Sequence, residues 1–150
     1  KIKERKEQKY FELAHEKLQA FPGVERILKS AQVQNRPMIV ASSGTKKKIR
    51  FNLEEAGLKH FFSEFVSADE VEQGKPHPEL FLKAVNTLGV PPNECVVFED
   101  SILGIQAGKR ARMFVIAVTN THSGDKLQEA DLVIKTFEHL RLKNGLLIIK

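Results

Sequence analysis

The chain has no tryptophan, one tyrosine and one cysteine. A single cysteine excludes an internal disulfide, which fits a reducing compartment and a cytoplasmic setting. Cys95 opens a short apolar run, so a small core residue is its expected role rather than a nucleophile. Aromatic residues make up only 7% of the chain, which leaves little for stacking on bases. The basic residues behind the net charge of +5 are scattered, and Lys46-Lys47-Lys48 and Lys109-Arg110 are short runs. We read this charge as solvated helix faces with attraction for a small anionic substrate, not as a nucleic-acid surface. No apolar stretch approaches the roughly 20 residues of a membrane span. No apolar segment follows the charged start Lys1-Ile2-Lys3-Glu4-Arg5-Lys6, so no signal peptide is visible. The aspartates, Asp69, Asp100, Asp125 and Asp131, never stand two residues apart.

What is present describes a globular domain of ordinary size: 150 residues, 41% hydrophobic and 29% charged. Residues 1–21 have helical spacing, with Ile2, Phe11, Leu13, Ala14, Leu18 and Phe21 among charged residues, and Pro22 ends the run. A second helix is expected near Val24–Gln32, with Val24, Ile27, Leu28 and Ala31 on one face. Met38–Ala41 is an apolar strand leading into Ser42-Ser43-Gly44-Thr45. Lys46–Ala56 is helical with Gly57 as its end. Phe65–Ser67 is a short strand. A stiff loop, Gly74-Lys75-Pro76-His77-Pro78, leads into a helix ending near Leu88. Cys95–Phe98 is a strand, Ser101–Arg110 a helix, and Phe114–Val118 and Asp131–Ile134 are strands. The tail Gly145–Ile149 fits either a last strand or a packed end. Strand and helix alternate four times, which predicts an α/β fold with a parallel, doubly wound, Rossmann-like sheet.

Three loops carry residues of chemical interest. Ser42-Ser43-Gly44-Thr45 offers hydroxyls and open N–H groups at a helix N-terminus, an anion site or simply an N-cap. Lys75 is fixed between Gly74 and Pro76, where a surface lysine is otherwise flexible. Glu99-Asp100 follows a buried strand, where ligands of open α/β sheets sit. The local pattern supports equally a helix cap and a pair of hard oxygen ligands for Mg²⁺. Together, hydroxyls, a fixed lysine and paired acids outline a phosphoryl-transfer site. Gly104-Ile105-Gln106-Ala107-Gly108-Lys109 is one residue short of a P-loop and lacks its Ser/Thr. His77 reads as a loop residue, and His15, His60, His122 and His139 show no metal spacing.

Taken together, Phe21-Pro22-Gly23-Val24, Val40-Ala41-Ser42-Ser43-Gly44-Thr45, Val66-Ser67-Ala68-Asp69-Glu70-Val71, Gly74-Lys75-Pro76-His77-Pro78 and Val97-Phe98-Glu99-Asp100-Ser101 resemble the haloacid dehalogenase superfamily. The branch is that of β-phosphoglucomutase and sugar-phosphate phosphatases, and the likeness runs from Phe21 to Ile134. The resemblance implies that Ser42 hydrogen-bonds the transferring phosphoryl group, with Ser43 and Gly44 beside it. It implies that Lys75 bridges phosphate and nucleophile, that Asp100 binds Mg²⁺, and that Glu99 is a ligand or supports one.

The chain also departs from that pattern. The family's nucleophile and general acid/base come from an Asp-x-Asp that is absent here. In the family that motif ends a strand lying between the strands of Val40–Ala41 and Val97–Phe98. We therefore expect an N-terminal segment of the same protein to supply it, residues 1–21 to be the end of a helical cap with its hinge, and residues 22–150 to be the core lacking its first strand. Arg112 stands where the family usually has a glycine, so a left-handed helix end there is either strained or replaced by another exit. The expected activity is Mg²⁺-dependent hydrolysis of a small phosphorylated metabolite, a sugar phosphate by preference, through an aspartyl-phosphate. Gly44 and Lys46 favour phosphatase over β-phosphoglucomutase, the alternative; a non-catalytic binding domain is the third reading. A monomer is expected, with neither nucleic acid nor membrane as partner, and residues 1–150 alone are expected to be inactive.

Overall fold

A computed structural model describes residues 2–149, with side-chain environments from Arg5 to Ile149, so the expected inward position of Ile2 lies outside the described side chains. The helices are α1 (Ile2–Ala14), α2 (Val24–Val33), α3 (Lys46–Glu55), α4 (Glu79–Leu88) and α5 (Ile102–Arg110). The strands are β1 (Val40–Ser42), β2 (Phe65–Ser67), β3 (Val96–Glu99), β4 (Phe114–Val118), β5 (Leu132–Ile134), β6 (Leu140–Lys143) and β7 (Leu146–Ile149). None of the described helices is long and apolar enough to cross a membrane.

The α/β alternation folds as expected into parallel strand pairs. They form two pieces: β1 pairs with β2, and β3 with β4 and β5, in the order β3-β4-β5. β4 is apolar throughout because it lies between two layers. Val115 and Ala117 meet Ile105 and Ala107 of α5, whereas Ile116 and Val118 meet Ile27 of α2 and Leu140. That is the two-residue alternation of a central strand. β1 and β3 share no ladder, so each has one inner edge without a strand partner among the described residues. α4 spans both pieces. Leu80 and Ala84 pack on Val66 of β2, while Phe81 and Val85 pack in the cluster containing Val97 of β3.

Several boundaries move for physical reasons. The first helix stops at Ala14 rather than Phe21. Glu55 accepts the Glu16 N–H at 2.6 Å and contacts His15 Nδ1 at 3.0 Å, and Glu16 turns to φ +59°. Phe21, beyond this end, is exposed, and so is Leu13 within α1; neither points inward. α1 is held instead by Phe11 against Phe51 and by the Tyr10 hydroxyl donating to Asn52 Oδ1 at 2.9 Å. The first strand begins at Val40, not Met38, and the third covers Val96–Glu99, one residue later than Cys95–Phe98. β5 starts at Leu132. Arg112 takes φ +61°, so of the two outcomes open to it the chain keeps the left-handed helix end rather than another exit.

The tail is a strand, and it pairs with a further strand, β6, that the apolar pattern alone does not mark. Asn144 and Gly145, at φ +51° and +76°, form the left-handed pair that a tight hairpin needs. α2 holds this hairpin through a polar stripe. Arg26 donates to the carbonyls of Phe137, Glu138 and Leu140, and Ser30 and Gln34 donate to that of Leu142 at 2.9 Å.

Asp131 ties β4 to the loop before β5. Its Oδ2 accepts the Val115 N–H at 2.8 Å, and its other oxygen pairs with Lys109. Burial pushes this carboxyl up, but the bonds from Lys109 and Val115 together hold it below the usual aspartate value. A lowered folded-state pKa stabilises above the unfolded value of about 3.9, and that stabilisation is lost as pH falls through the folded value. Asp131→Asn keeps an acceptor for Val115 and removes the charge. It is expected to cost on the order of 1 kcal/mol at pH 7, with the gap to wild type narrowing below about pH 4. Urea denaturation at both pH values checks this; a gap unchanged by pH would refute the role given to the charge.

Candidate active site

Every candidate residue lies at or beyond the carboxyl ends of the parallel strands. Ser42 is the last residue of β1 and Glu99 the last of β3, while Lys75 sits in the loop between β2 and α4. This is the edge at which open α/β sheets hold ligands.

The β1 loop is less open than its sequence implies. The Gly44 N–H donates to Ser42 Oγ at 3.1 Å, the Lys46 N–H to Asp69 Oδ2 at 3.2 Å, and the Lys48 N–H to the capping Thr45 Oγ1 at 3.3 Å. The Gly44 carbonyl accepts from Ala68 N at 3.3 Å, which ties the loop to the end of β2. Ser42 acts there as an acceptor, so its own hydroxyl proton remains available to an anionic oxygen. Ser43 is exposed and Gly44 half-buried. A Cβ on Gly44 would meet Ser42 Oγ at 3.5 Å, an ordinary contact, so space does not force a glycine there.

The second group is tighter. β3 alternates, so Glu99 shares a face with buried Val97 and points toward α4 and α5. There its Oε1 pairs with Lys75 Nζ, with the two side chains only 8% and 11% exposed. Lys75 Nζ also lies 4.8 Å from the centre of the Phe81 ring, within cation–π range. Glu99 Oε2 accepts the N–H groups of Asp100 and Ser101 at 3.1 Å each and the Ser101 hydroxyl at 2.9 Å. Ser101 in turn caps α5 by accepting the Gly104 N–H at 3.1 Å. Glu99 is therefore fully engaged by the protein, as a helix-start acceptor and as the anchor of Lys75. The helix-cap reading of the acidic pair is thus met by Glu99.

Asp100 faces differently. Its Oδ2 accepts the Thr121 hydroxyl from the loop after β4. Its other oxygen has no hydrogen bond among the described residues. The structure thus joins Lys75 to Glu99, and places the adjacent Asp100 with its N–H on Glu99 and its carboxylate on the Thr121 side. Ser42, Ser43 and Gly44 stand on the other sheet piece, with no hydrogen bond to that group among the described residues. Phe81, Ser101, Gly104 and Thr121 were not expected. Only Thr121 carried a cue: Thr119-Asn120-Thr121-His122-Ser123 is a hydroxyl-rich loop after an apolar strand, as Ser42–Thr45 is. This loop, with Gly124, Val133 and Lys135, lines a hollow of about 420 Å³, and Thr121 of that lining bonds Asp100.

For a metal, the described residues at this site offer one carboxylate oxygen, on Asp100. Among the described residues no cluster of three or more His, Cys, Asp or Glu exists that would cage a metal by itself. Mg²⁺ is commonly bound through one or two carboxylates, waters and substrate phosphate oxygens, and Asp100 offers one such carboxylate at the strand end.

Comparison with known proteins agrees with the geometry. The family model for haloacid dehalogenase-like hydrolases matches residues 1–118. The chain is 42% identical over 111 residues to the chloroplastic protein SUPPRESSOR OF QUENCHING 1 of Arabidopsis thaliana, covering 73% of this chain and 10% of that protein. It is 34% identical over 138 residues to hexitol phosphatase A of Escherichia coli, covering 90% of this chain and 63% of that protein. The crystal structure of β-phosphoglucomutase from Clostridium difficile superposes with a TM-score of 0.81 at 30% identity, over 92% of this chain and 60% of that one. The chain thus spans less than two thirds of the length of each of these proteins.

Proposed function

Because the chain belongs to the haloacid dehalogenase-like hydrolases, we propose that it carries the phosphate- and Mg²⁺-binding part of a phosphatase acting on a small sugar phosphate. The observation that carries this reading is the Lys75–Glu99–Asp100 group at the carboxyl end of β3, with Lys75 held in place by a nearly buried carboxylate. Lys75 presents a fixed positive charge to a phosphoryl oxygen, and Ser42 presents a hydroxyl proton to another. Asp100 offers its free oxygen to Mg²⁺, which when bound neutralises charge on phosphoryl oxygens. Glu99 keeps Lys75 in position and braces the turn into α5.

In the same proposal the nucleophile is an aspartate from a strand outside residues 1–150 that fills the place between β1 and β3. The unpaired inner edges of those two strands support this. Covalent catalysis through that aspartate divides hydrolysis into two easier steps. The likeness to β-phosphoglucomutase supports a second reading, transfer within a sugar phosphate without release of phosphate.

The test is phosphate release from hexose and hexitol phosphates by the full-length protein. EDTA is expected to abolish it and Mg²⁺ to restore it. Asp100→Ala and Lys75→Ala should each lower turnover by about 10²-fold or more, the scale of removing one preorganised charge-stabilising group. Full activity of Asp100→Ala would overturn the metal assignment. Isomerised product without free phosphate selects the mutase reading, and neither product leaves a binding domain.

A further inference from the structure

We propose that Thr121 is a positioning residue for Asp100, fixing the carboxylate so that one oxygen remains aimed at a divalent cation. The proposal rests on the reading of Asp100 as a metal ligand. Asp100 is the first residue beyond β3, and the register pairs Glu99 with Ala117 of β4. The chain leaving β4 after Val118 therefore runs alongside Asp100. It is pinned there by the Thr119 N–H on the Ile134 carbonyl at 3.0 Å and the Asn120 N–H on the Val118 carbonyl at 2.8 Å. From this loop the Thr121 hydroxyl donates to Asp100 Oδ2, and no other hydrogen bond reaches that carboxylate among the described residues.

Chemistry explains why a hydroxyl serves here. A carboxylate one residue past a strand is free to rotate, and ordering it costs entropy. A charge-assisted O–H···O⁻ bond is among the stronger hydrogen bonds and constrains that rotation. Because the hydroxyl is neutral, it fixes Oδ2 without neutralising the charge that attracts a cation. Lys75 in the same place would neutralise it, which is what it does to Glu99. Groups that orient a metal ligand in this way are worth about 10–100-fold in metal affinity.

The test is Mn²⁺ binding to the full-length protein in the presence of inorganic phosphate, followed by the loss of its free-ion paramagnetic resonance signal. Thr121→Val removes the hydroxyl at nearly constant shape and should weaken binding about 10-fold, with an unchanged melting midpoint because Thr121 is exposed. Thr121→Ser should stay within about 2-fold of wild type, since the hydroxyl is retained. Asp100→Asn should abolish binding. Unchanged affinity in Thr121→Val while Asp100→Asn abolishes it would overturn the role of Thr121 and leave the metal reading intact. Equal loss in Thr121→Ser and Thr121→Val would also overturn it, because shape would then matter rather than the hydroxyl. Unchanged binding in Asp100→Asn, or no binding by the wild type, would overturn the metal reading and the proposal together.

Discussion

Glu99→Ala is expected to destabilise the chain by about 3–5 kcal/mol, the range for removing one partner of a buried ion pair. Lys75 is 11% exposed and would be left with an unpaired ammonium against the Phe81 ring. A cation–π contact worth about 0.5–2 kcal/mol does not offset that. The N–H groups of Asp100 and Ser101 and the Ser101 hydroxyl would lose their shared acceptor as well. Glu99→Gln separates the two effects, since its amide oxygen still accepts from the turn while the charge is gone. Glu99→Ala combined with Lys75→Met removes both charges and should recover much of the loss, because a buried pair replaced by apolar groups is often near neutral. Urea denaturation of the four proteins decides it. If Glu99→Ala unfolds at the wild-type urea concentration, the pair is solvated and the anchoring role fails.

The same residue shows what the sequence made legible and what it did not. The alternation of apolar runs with helical spacing was enough for the α/β class, because parallel strands covered on both faces must be apolar, as Val115–Val118 are. The adjacency of Glu99 and Asp100 was legible too. Their division of labour was not, because it depends on register. One residue's shift of β3 makes Glu99 a strand residue on the Val97 face and sends Asp100 past the strand end. Strand parity then puts the two carboxylates in different surroundings.

Other misses share a cause: contacts distant in sequence. α1 ends at Ala14 because Glu55, some forty positions on, takes the Glu16 N–H. No local pattern in residues 1–21 contains that information. The polar stripe Arg26, Ser30 and Gln34 has helical spacing and was visible beside the apolar one. Its meaning comes only from the carbonyls of Leu140 and Leu142 in β6, more than a hundred residues later. β6 itself, Leu-Arg-Leu-Lys, is short and mixed, and its one local signal is the Asn144-Gly145 turn between it and the apolar tail. Thr121 is the corresponding case at the site, where a hydroxyl-rich loop becomes significant only through the β3–β4 register.

Gly104→Ala is the sharper probe of how the site is packed, because the direction of its effect is contested by two physical effects. Gly104 is in the first turn of α5, where the helix-interior preference of about 1 kcal/mol for alanine over glycine is an upper bound. A Cβ at position 104, however, would fall 2.0 Å from Glu99 Cδ and 2.1 and 2.3 Å from its oxygens. The end of a glutamate side chain normally swings aside at little cost. This one is held by Lys75, by two backbone N–H groups and by the Ser101 hydroxyl, so moving it breaks the network valued above at about 3–5 kcal/mol. The larger effect wins, and Gly104→Ala should destabilise by roughly 2–4 kcal/mol, the difference between those two estimates. In the Glu99→Ala background the obstacle is gone, so the same substitution should become neutral or stabilising by up to about 1 kcal/mol. That change of sign is a coupling energy measurable in a double-mutant cycle of urea midpoints. Additive effects of the two substitutions would show that Glu99 moves freely. In that case Gly104 does not fix the carboxylate that holds Lys75.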